Sequence, residues 1–549
     1  MPLRIIPASS LEKIFLDQQP AGNYTGGSLL MNEGYSFQFA FTGLPSGSGD
    51  GPCWGTAEFR IESDISDFLD LYLVGNVGVT LPAYTAYDQG YLRTAPGMYP
   101  DPLFPLSGNT VKIHQSRWQS IWIRTHGELP AGDHPVRLTM ASAKYGSASA
   151  EITLRVLPCR LPEQTLKYTC WFHCDCIADL HRCAAFSEAH WQLIDQYMEL
   201  AGANGINMLL VPAFTPPLDT PVGSERMTVQ LVGVKKQGEV YEFDFTLLDR
   251  YLNLARKHNI SWFEHSHLFT QWGAEHAPKV IAEVNGRLTR IFGWETQADG
   301  PEYTAFLHQY LDALLPHLRS LGLDQHFYFH ISDEPNEKQL AGYRRAKAVV
   351  EERLREYHLF DALSHVEFYE QGLVPTPVAV TSSINDFLGK CDDLWAYYTG
   401  GQSFGYSNRL ISMASRRNRV LGLQLYKYSI KGFLQWAYNF YYTTLSREQA
   451  NPFLSPDALG EFPAGTAYQV YPHENGPIPS LRLFVFQDGL QDMRALQLLE
   501  SFIGHDKTVA FMEKIIGPVD WTHCPAADGS YLALREAINQ AILNARDQV

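Results

Sequence analysis

Two adjacent carboxylates followed by proline, in the run His330-Ile331-Ser332-Asp333-Glu334-Pro335, are the residues of this sequence best suited to chemistry. One carboxyl can protonate a leaving oxygen while its neighbour, as an anion, holds or polarises another group of the same substrate. A neighbouring Asp333 anion and burial should raise the pKa of Glu334, as a general acid near neutral pH requires. Proline keeps the residue before it extended and stops a strand from running on, so both acids should stand at a strand end. Adjacency limits the mechanism. A two-carboxylate retaining glycosidase needs its acid and nucleophile about 5 Å apart across the anomeric carbon, and an inverting one needs more. Neighbouring side chains rarely straddle a sugar. They fit the substrate-assisted exception, in which a 2-acetamido group of the substrate attacks the anomeric carbon. In the plain structural reading, Asp333 or Asn336 caps the following helix and Glu334 complements its dipole.

Other candidates cluster where further strands should end. Glu264-His265-Ser266-His267 with Gln271-Trp272 offers polar groups for sugar hydroxyls. Tyr369, Trp395, Tyr397, Tyr398, Trp436, Tyr438, Asn439 and Tyr441 offer aromatic faces for a pyranose and groups for an acetamide. Because strand side chains alternate in facing, about half of these should be core residues. Glu370 or Glu264 is the candidate nucleophile if a second carboxylate is used instead, on a sugar lacking the acetamide. His265 and His267 alternate onto one face and could join Glu264 or Asp333 around a metal, but sugar-binding histidines explain the pair equally well. Cys170, His173, Cys174 and Cys176 depart from the C-x₂-C zinc spacing and read as buried groups beside the first strand. Neither a metal nor another cofactor is expected.

The elements that must position these residues change character once. Up to about residue 160 the apolar residues alternate, as in Tyr35, Phe37, Phe39, Phe41 and Ala150, Ile152, Leu154, Val156, with turns such as Leu129-Pro130-Ala131-Gly132 between the runs. This predicts an N-terminal β-sandwich over 1–160. Beyond Pro162, strands alternate with helices, the pattern of a parallel sheet. Ser187 should cap a helix burying Trp191, Ile194, Met198 and Ala201. Further helices carry Leu248, Tyr251, Leu252 and Ala255, and then Phe306, Leu307, Tyr310, Leu311 and Leu314, the last expected to kink at Pro316. Strands are predicted over 167–172, 206–211, 260–268, 326–332, 364–369, 394–399, 432–440 and 467–471. Val420 to Tyr428 is read as a helix, because too few residues separate it from the next strand for a parallel crossover. The fold class is therefore α/β multi-domain: the sandwich, then a (β/α)8 TIM-type barrel over 161–500, then a C-terminal helical extension over 501–549. Active sites of such barrels lie at the C-terminal ends of the strands. The basic run Arg416-Arg417-Asn418-Arg419 reads as the solvated start of a helix.

Composition agrees with a ligand that is neither nucleic acid nor membrane. Acidic residues outnumber basic ones 59 to 43, and the net charge of −16 repels a phosphate backbone. No run of about 18 apolar residues occurs, so no membrane insertion is expected. The mixed residues from Pro2 onward do not form a signal-peptide core, and eight cysteines without regular spacing suggest a reducing compartment, so the expected location is cytoplasmic. A chain that is 13% aromatic and only 19% charged suits ring-lined surfaces and an oligosaccharide or glycoconjugate substrate.

The run His330 to Pro335, the run Gly432-Phe433-Leu434-Gln435-Trp436-Ala437-Tyr438-Asn439, and Tyr471-Pro472 with Pro477-Ile478-Pro479-Ser480-Leu481-Arg482-Leu483 together resemble the catalytic domain of glycoside hydrolase family 123, in the same order over roughly 161–500. The resemblance implies a β-sandwich followed by a barrel, and retaining, exo-acting removal of β-linked N-acetylgalactosamine through an oxazolinium intermediate. It maps the family's acid pair onto Asp333, which would orient and polarise the acetamide, and Glu334, which would be general acid and then base. A carbohydrate-binding protein with a decayed site is the rival from another class.

Overall fold

A computed structural model describes residues 2–44, 53–525 and 527–547. Alternation shapes the N-terminal part into two five-stranded sheets. One contains Leu3–Ser9, Ser36–Gly43, Gln119–Thr125, Leu69–Val79 and Gly97–Pro105; the other contains Gly26–Leu30, Gly146–Leu157, Gly132–Ser142, Trp54–Glu62 and Thr110–His114. Phe37, Phe39 and Phe41 of the first meet Val136, Leu138, Ile152 and Leu154 of the second in one fully buried core. The intervening Ala40 packs on the opposite face with Ile6, Ala8, Ile14 and Trp118, so the strand Ser36–Gly43 is covered on both sides.

Eight parallel strands close into a barrel: β1 Lys167–Cys170, β2 Met208–Val211, β3 Trp262–His265, β4 Phe327–Phe329, β5 His358–Leu363, β6 Thr376–Val380, β7 Trp395–Tyr397 and β8 Gly432–Gln435, with β8 pairing back onto β1. Its interior is filled by alternate residues, among them Met208, Leu210, Tyr328, Phe360, Val378, Trp395 and Leu434. The other set, including Leu209, Phe263, Phe327 and Phe433, packs outward on the helices.

The expected strand count holds, but two of its members change. The fifth strand is His358–Leu363; Ser364 to Tyr369 instead crosses a loop into the short helix Glu367–Glu370. The sixth is Thr376–Val380, so Trp395–Tyr397 and Gly432–Gln435 become seventh and eighth. Ala467 to Tyr471 supplies no barrel strand, because Val470–His473 turns back on Gly476–Pro479 as a hairpin. Full helices follow β1 to β4, β7 and β8, whereas β5 is followed by four helical residues and β6 only by the turn Ile384–Asp386.

Ser187 caps Glu188–Ala203 by accepting from the His190 N–H, and Trp191, Ile194, Met198 and Ala201 are buried there. The apolar faces expected for Thr246–Lys257 and Pro301–Ser320 are likewise buried, and the latter helix continues past Pro316. Leu421–Lys427 is helical, as the crossover length demands. The run before it is not solvated: Arg417 and Arg419 are buried in ion pairs with Asp88 at 2.7 Å and Asp492 at 2.6 Å. Leu481–Ile503 returns along the barrel, followed by His505–Ile516 and Asp528–Arg546. Among the described residues no helix is long and apolar enough to cross a membrane, and all eight cysteines are free thiols.

Candidate active site

The barrel's C-terminal mouth holds a cavity of about 250 Å³. Asp333 and Glu334 line it, four and five residues beyond the end of β4. The chain reaches them in a left-handed conformation. Glu334 has a φ of 42°, so Pro335 does not hold it extended. Two other lining residues, Asp219 and Trp272, have φ of 43° and 57°. Such conformations cost of order 1–3 kcal/mol each and persist only where the surroundings impose them. Here the surroundings are specific: the Trp272 N–H donates to the Asp333 carbonyl at 2.9 Å, and the Asp219 N–H donates to the Gln271 side chain.

Glu334 accepts a 2.6 Å hydrogen bond from the Tyr397 hydroxyl, which the inward-facing position on β7 delivers. Burial, and next the charge of Glu334, push the Asp333 carboxyl well above the usual range. Beneath them lies a fully buried ion network. His330 bonds Glu264 of β3 at 2.8 Å through Nε2 and Asp361 of β5 at 3.0 Å through Nδ1. Burial alone would lower the His330 pKa, but these carboxylates hold it at about 9. Asp361 also accepts from the Ile331 and Ser332 N–H groups and from Tyr343, so it anchors the backbone leading to Asp333. Glu264 accepts from Trp171 Nε1 at 3.1 Å and from Thr169. Trp171 is thereby fixed as a wall of the cavity.

Gln271, Trp272, Tyr397 and Trp436 also line the cavity, as expected from the sequence. The remaining candidates point elsewhere. His265 faces the barrel helices and bonds Tyr310 at 2.7 Å, while His267 lies stacked on His330 with ring centroids 4.1 Å apart; the two do not share a face for one ligand. Tyr369 bonds the Lys390 carbonyl, and Glu370 pairs with Lys390 at the surface, far from a nucleophile's role. Trp395 faces the barrel interior below the site and bonds Asp393. Tyr398, one residue out of phase with Tyr397, packs outward on Phe433. Tyr438, Asn439 and Tyr441 are buried behind the wall: they bond the Tyr197 carbonyl, the His173 backbone and the Val470 carbonyl.

Residues that the sequence reading did not assign to the pocket also line it, among them Tyr84, Trp171, Asp219, Thr399, Phe440 and His173, which was read only as a buried group beside the first strand. Trp171 and His173 follow β1 directly, where the strand-end rule would have found them. Asp219 lies in a loop eight residues past β2, and Tyr84 comes from outside the barrel, so neither carries a local signal. Asp219 accepts from the Leu445 N–H at 3.0 Å, yet burial outweighs that bond and raises its pKa. His173 is held by Trp436 and Arg226, and burial together with the Arg226 charge lowers it to about 4.

Two side-chain groups near the site have metal-ligand geometry, His267 with His330 and Asp361, and His173 with Asp175 and Cys176. In the first, His330 already spends both nitrogens on carboxylates. In the second, the Arg226 guanidinium occupies Asp175 at 2.7 Å.

A wall of rings around two strand-end carboxylates, with no second carboxylate at Glu264 or Glu370, is an arrangement for sugars, and comparison with known proteins agrees. The sequence model of the glycoside hydrolase 123 catalytic domain matches residues 171–499. No curated protein matches the chain. Among solved structures, a family 123 glycoside hydrolase from Clostridium perfringens, described for glycolipid glycan hydrolysis, aligns with a TM-score of 0.76 at 14% identity over 99% of both chains. A family 39 glycoside hydrolase from Bacteroides cellulosilyticus aligns with a TM-score of 0.33 at 10% identity, over 87% of this chain and 83% of the other. With three-fifths of its length matched and its acids at the barrel mouth, the chain belongs to glycoside hydrolase family 123.

Proposed function

We propose that this glycosidase is exo-acting and retaining, and that it releases terminal β-linked N-acetylgalactosamine, or a related N-acetylhexosamine, from an oligosaccharide or glycoconjugate by substrate assistance. The observation that carries the reading is the adjacency of Asp333 and Glu334 in one cavity of about 250 Å³, while Glu264 and Glu370 are engaged elsewhere. In this scheme the acetamide oxygen attacks the anomeric carbon as Glu334 protonates the departing oxygen, and Asp333 accepts the acetamide N–H. Glu334 then takes a proton from water, which opens the oxazolinium ring with net retention. An acetamide N–H donated to Asp333 favours its anion, and so opposes the burial that raises its pKa. The reading includes a cytoplasmic location, supported by eight free thiols.

Hydrolysis of aryl β-glycosides of N-acetylgalactosamine, N-acetylglucosamine and galactose, with a thiazoline analogue of the acetamido sugar as inhibitor, tests it. Turnover confined to the acetamido sugars and blocked by the thiazoline is expected. Glu334→Gln should lower kcat about 10²- to 10⁴-fold on poor leaving groups and far less on activated aryl glycosides. Cleavage of the galactoside alone would sink the proposal. It would favour a second reading, in which Asp219, the third carboxylate of the cavity, serves as nucleophile. In that case Asp219→Ala loses turnover and added azide restores it.

A further inference from the structure

The pocket changes from exposed to buried with depth. Trp171, Tyr397 and Leu434 form its almost fully buried floor, whereas Trp272 and Tyr84 are 44% and 37% exposed. A volume of about 250 Å³ is below the roughly 300–1,000 Å³ of sites for drug-sized ligands, and suits one pyranose. Whatever lies beyond the scissile oxygen must then pass the two exposed rings.

The backbone that carries each ring is held in place. Trp272 is fastened through its N–H to the Asp333 carbonyl and through its own carbonyl to the Gln339 side chain. Tyr84 belongs to the connection between Leu69–Val79 and Gly97–Pro105 of the N-terminal sheets, and that connection is clamped to the barrel's loops. Thr80 and Leu81 donate backbone N–H groups to Asp457 at 2.7 and 2.8 Å, Asp88 pairs with Arg417 at 2.7 Å, and the Tyr91 hydroxyl donates to the Ser403 carbonyl at 2.9 Å. The Tyr84 hydroxyl lies over Gly400, where a Cβ would come within 3.5 Å of it.

The geometry points to a leaving-group subsite, formed by the Tyr84 and Trp272 rings, that accepts a second sugar ring. Aromatic faces beside the Gly400 and Gly401 peptides and Thr399 stack on a C–H face and bond hydroxyls at once, a combination that fits a sugar better than an acyl chain. This rests on the exo-acting reading above. It gives the N-terminal sheets a share in choosing substrate.

The test compares kcat/KM for a disaccharide with that for the glycosyl fluoride of the same terminal sugar, in wild type and in Tyr84→Ala, Tyr84→Trp and Trp272→Ala. Fluoride is too small to reach the rings. Tyr84→Ala and Trp272→Ala should each lower the disaccharide value about tenfold further than the fluoride value, with Tyr84→Trp restoring most of it. Equal losses on both substrates, or none on either, overturn the subsite. The comparison uses whichever terminal sugar the wild type cleaves, so an enzyme that prefers a sugar without an acetamide would refute the proposed function and still decide this point.

Discussion

At the scale of the residue, the acid pair was legible because two neighbouring carboxylates before a proline are chemically conspicuous, while the conformation that presents them was not. A proline disfavours the α-helical region for the residue before it, and that rule alone leaves the left-handed φ of Glu334 unforeseen. The electrostatics give a direct check. If Asp333 must be ionised to hold the acetamide, kcat/KM falls as pH drops through its raised pKa, above the usual ~3.9 for aspartate. Glu334→Gln removes the neighbouring charge, so the acid limb measured with an activated aryl glycoside should move to lower pH; a limb that stays put belongs to another group. His330 yields a second check, on stability. Its folded pKa of about 9 exceeds the ordinary 6.5, so the folded state holds an extra proton between those values and stability falls as pH rises through that window. At about 1.4 kcal/mol per unit the contribution is of the order of 3 kcal/mol. Buried Lys13, lowered to about 7 chiefly by burial, acts in the opposite sense above that pH. The quantity to measure is therefore the difference in pH slope between wild type and His330→Gln by chemical denaturation, and wild type should show the more negative slope between pH 7 and 9.

At the scale of the element, strands with strong apolar patterns were legible and two were not. Asp361 interrupts His358–Leu363, and Pro377 stands inside Thr376–Val380, a residue that argues against a central strand. Both exceptions serve the barrel. Asp361, in phase with the outward-facing Leu359 and Leu363, holds His330 and Tyr343, and Pro377 sits opposite Asp361 across the β5–β6 ladder. The missing helices after β5 and β6 removed the remaining cue. Strand β8 shows how tightly closure is specified: a Cβ at Gly432 would come within 2.1–2.3 Å of the Trp395 ring. Gly432→Ala should therefore destabilise by about 1–3 kcal/mol or more, read from the denaturation midpoint, and Trp395→Phe in the same chain should recover part of the loss. An additive double variant would place the strain elsewhere.

At the scale of the whole molecule, the motif Tyr471 to Leu483 that marked the family in the sequence is a joint. Arg482, at the start of Leu481–Ile503, pairs with Asp101 of the N-terminal sheets at 2.8 Å, both fully buried, and Tyr471 donates to the same carboxylate at 2.6 Å. Removing one partner strands the other without water, so Arg482→Met should cost about 3–5 kcal/mol in a denaturant titration, while Arg482→Met with Asp101→Leu should cost less. No sequence pattern announces such pairs, because the partners lie hundreds of residues apart. Arg535 of the helix Asp528–Arg546 likewise reaches Glu33 at 2.5 Å, at a sequence separation of 502. For a chain being synthesised at roughly 5–20 residues per second, that separation is about 25–100 s during which Glu33 has emerged and its guanidinium has not been made. Glu33 therefore lacks this partner until the helix Asp528–Arg546 has been made, and a chain arrested before it would leave that buried carboxylate without its guanidinium.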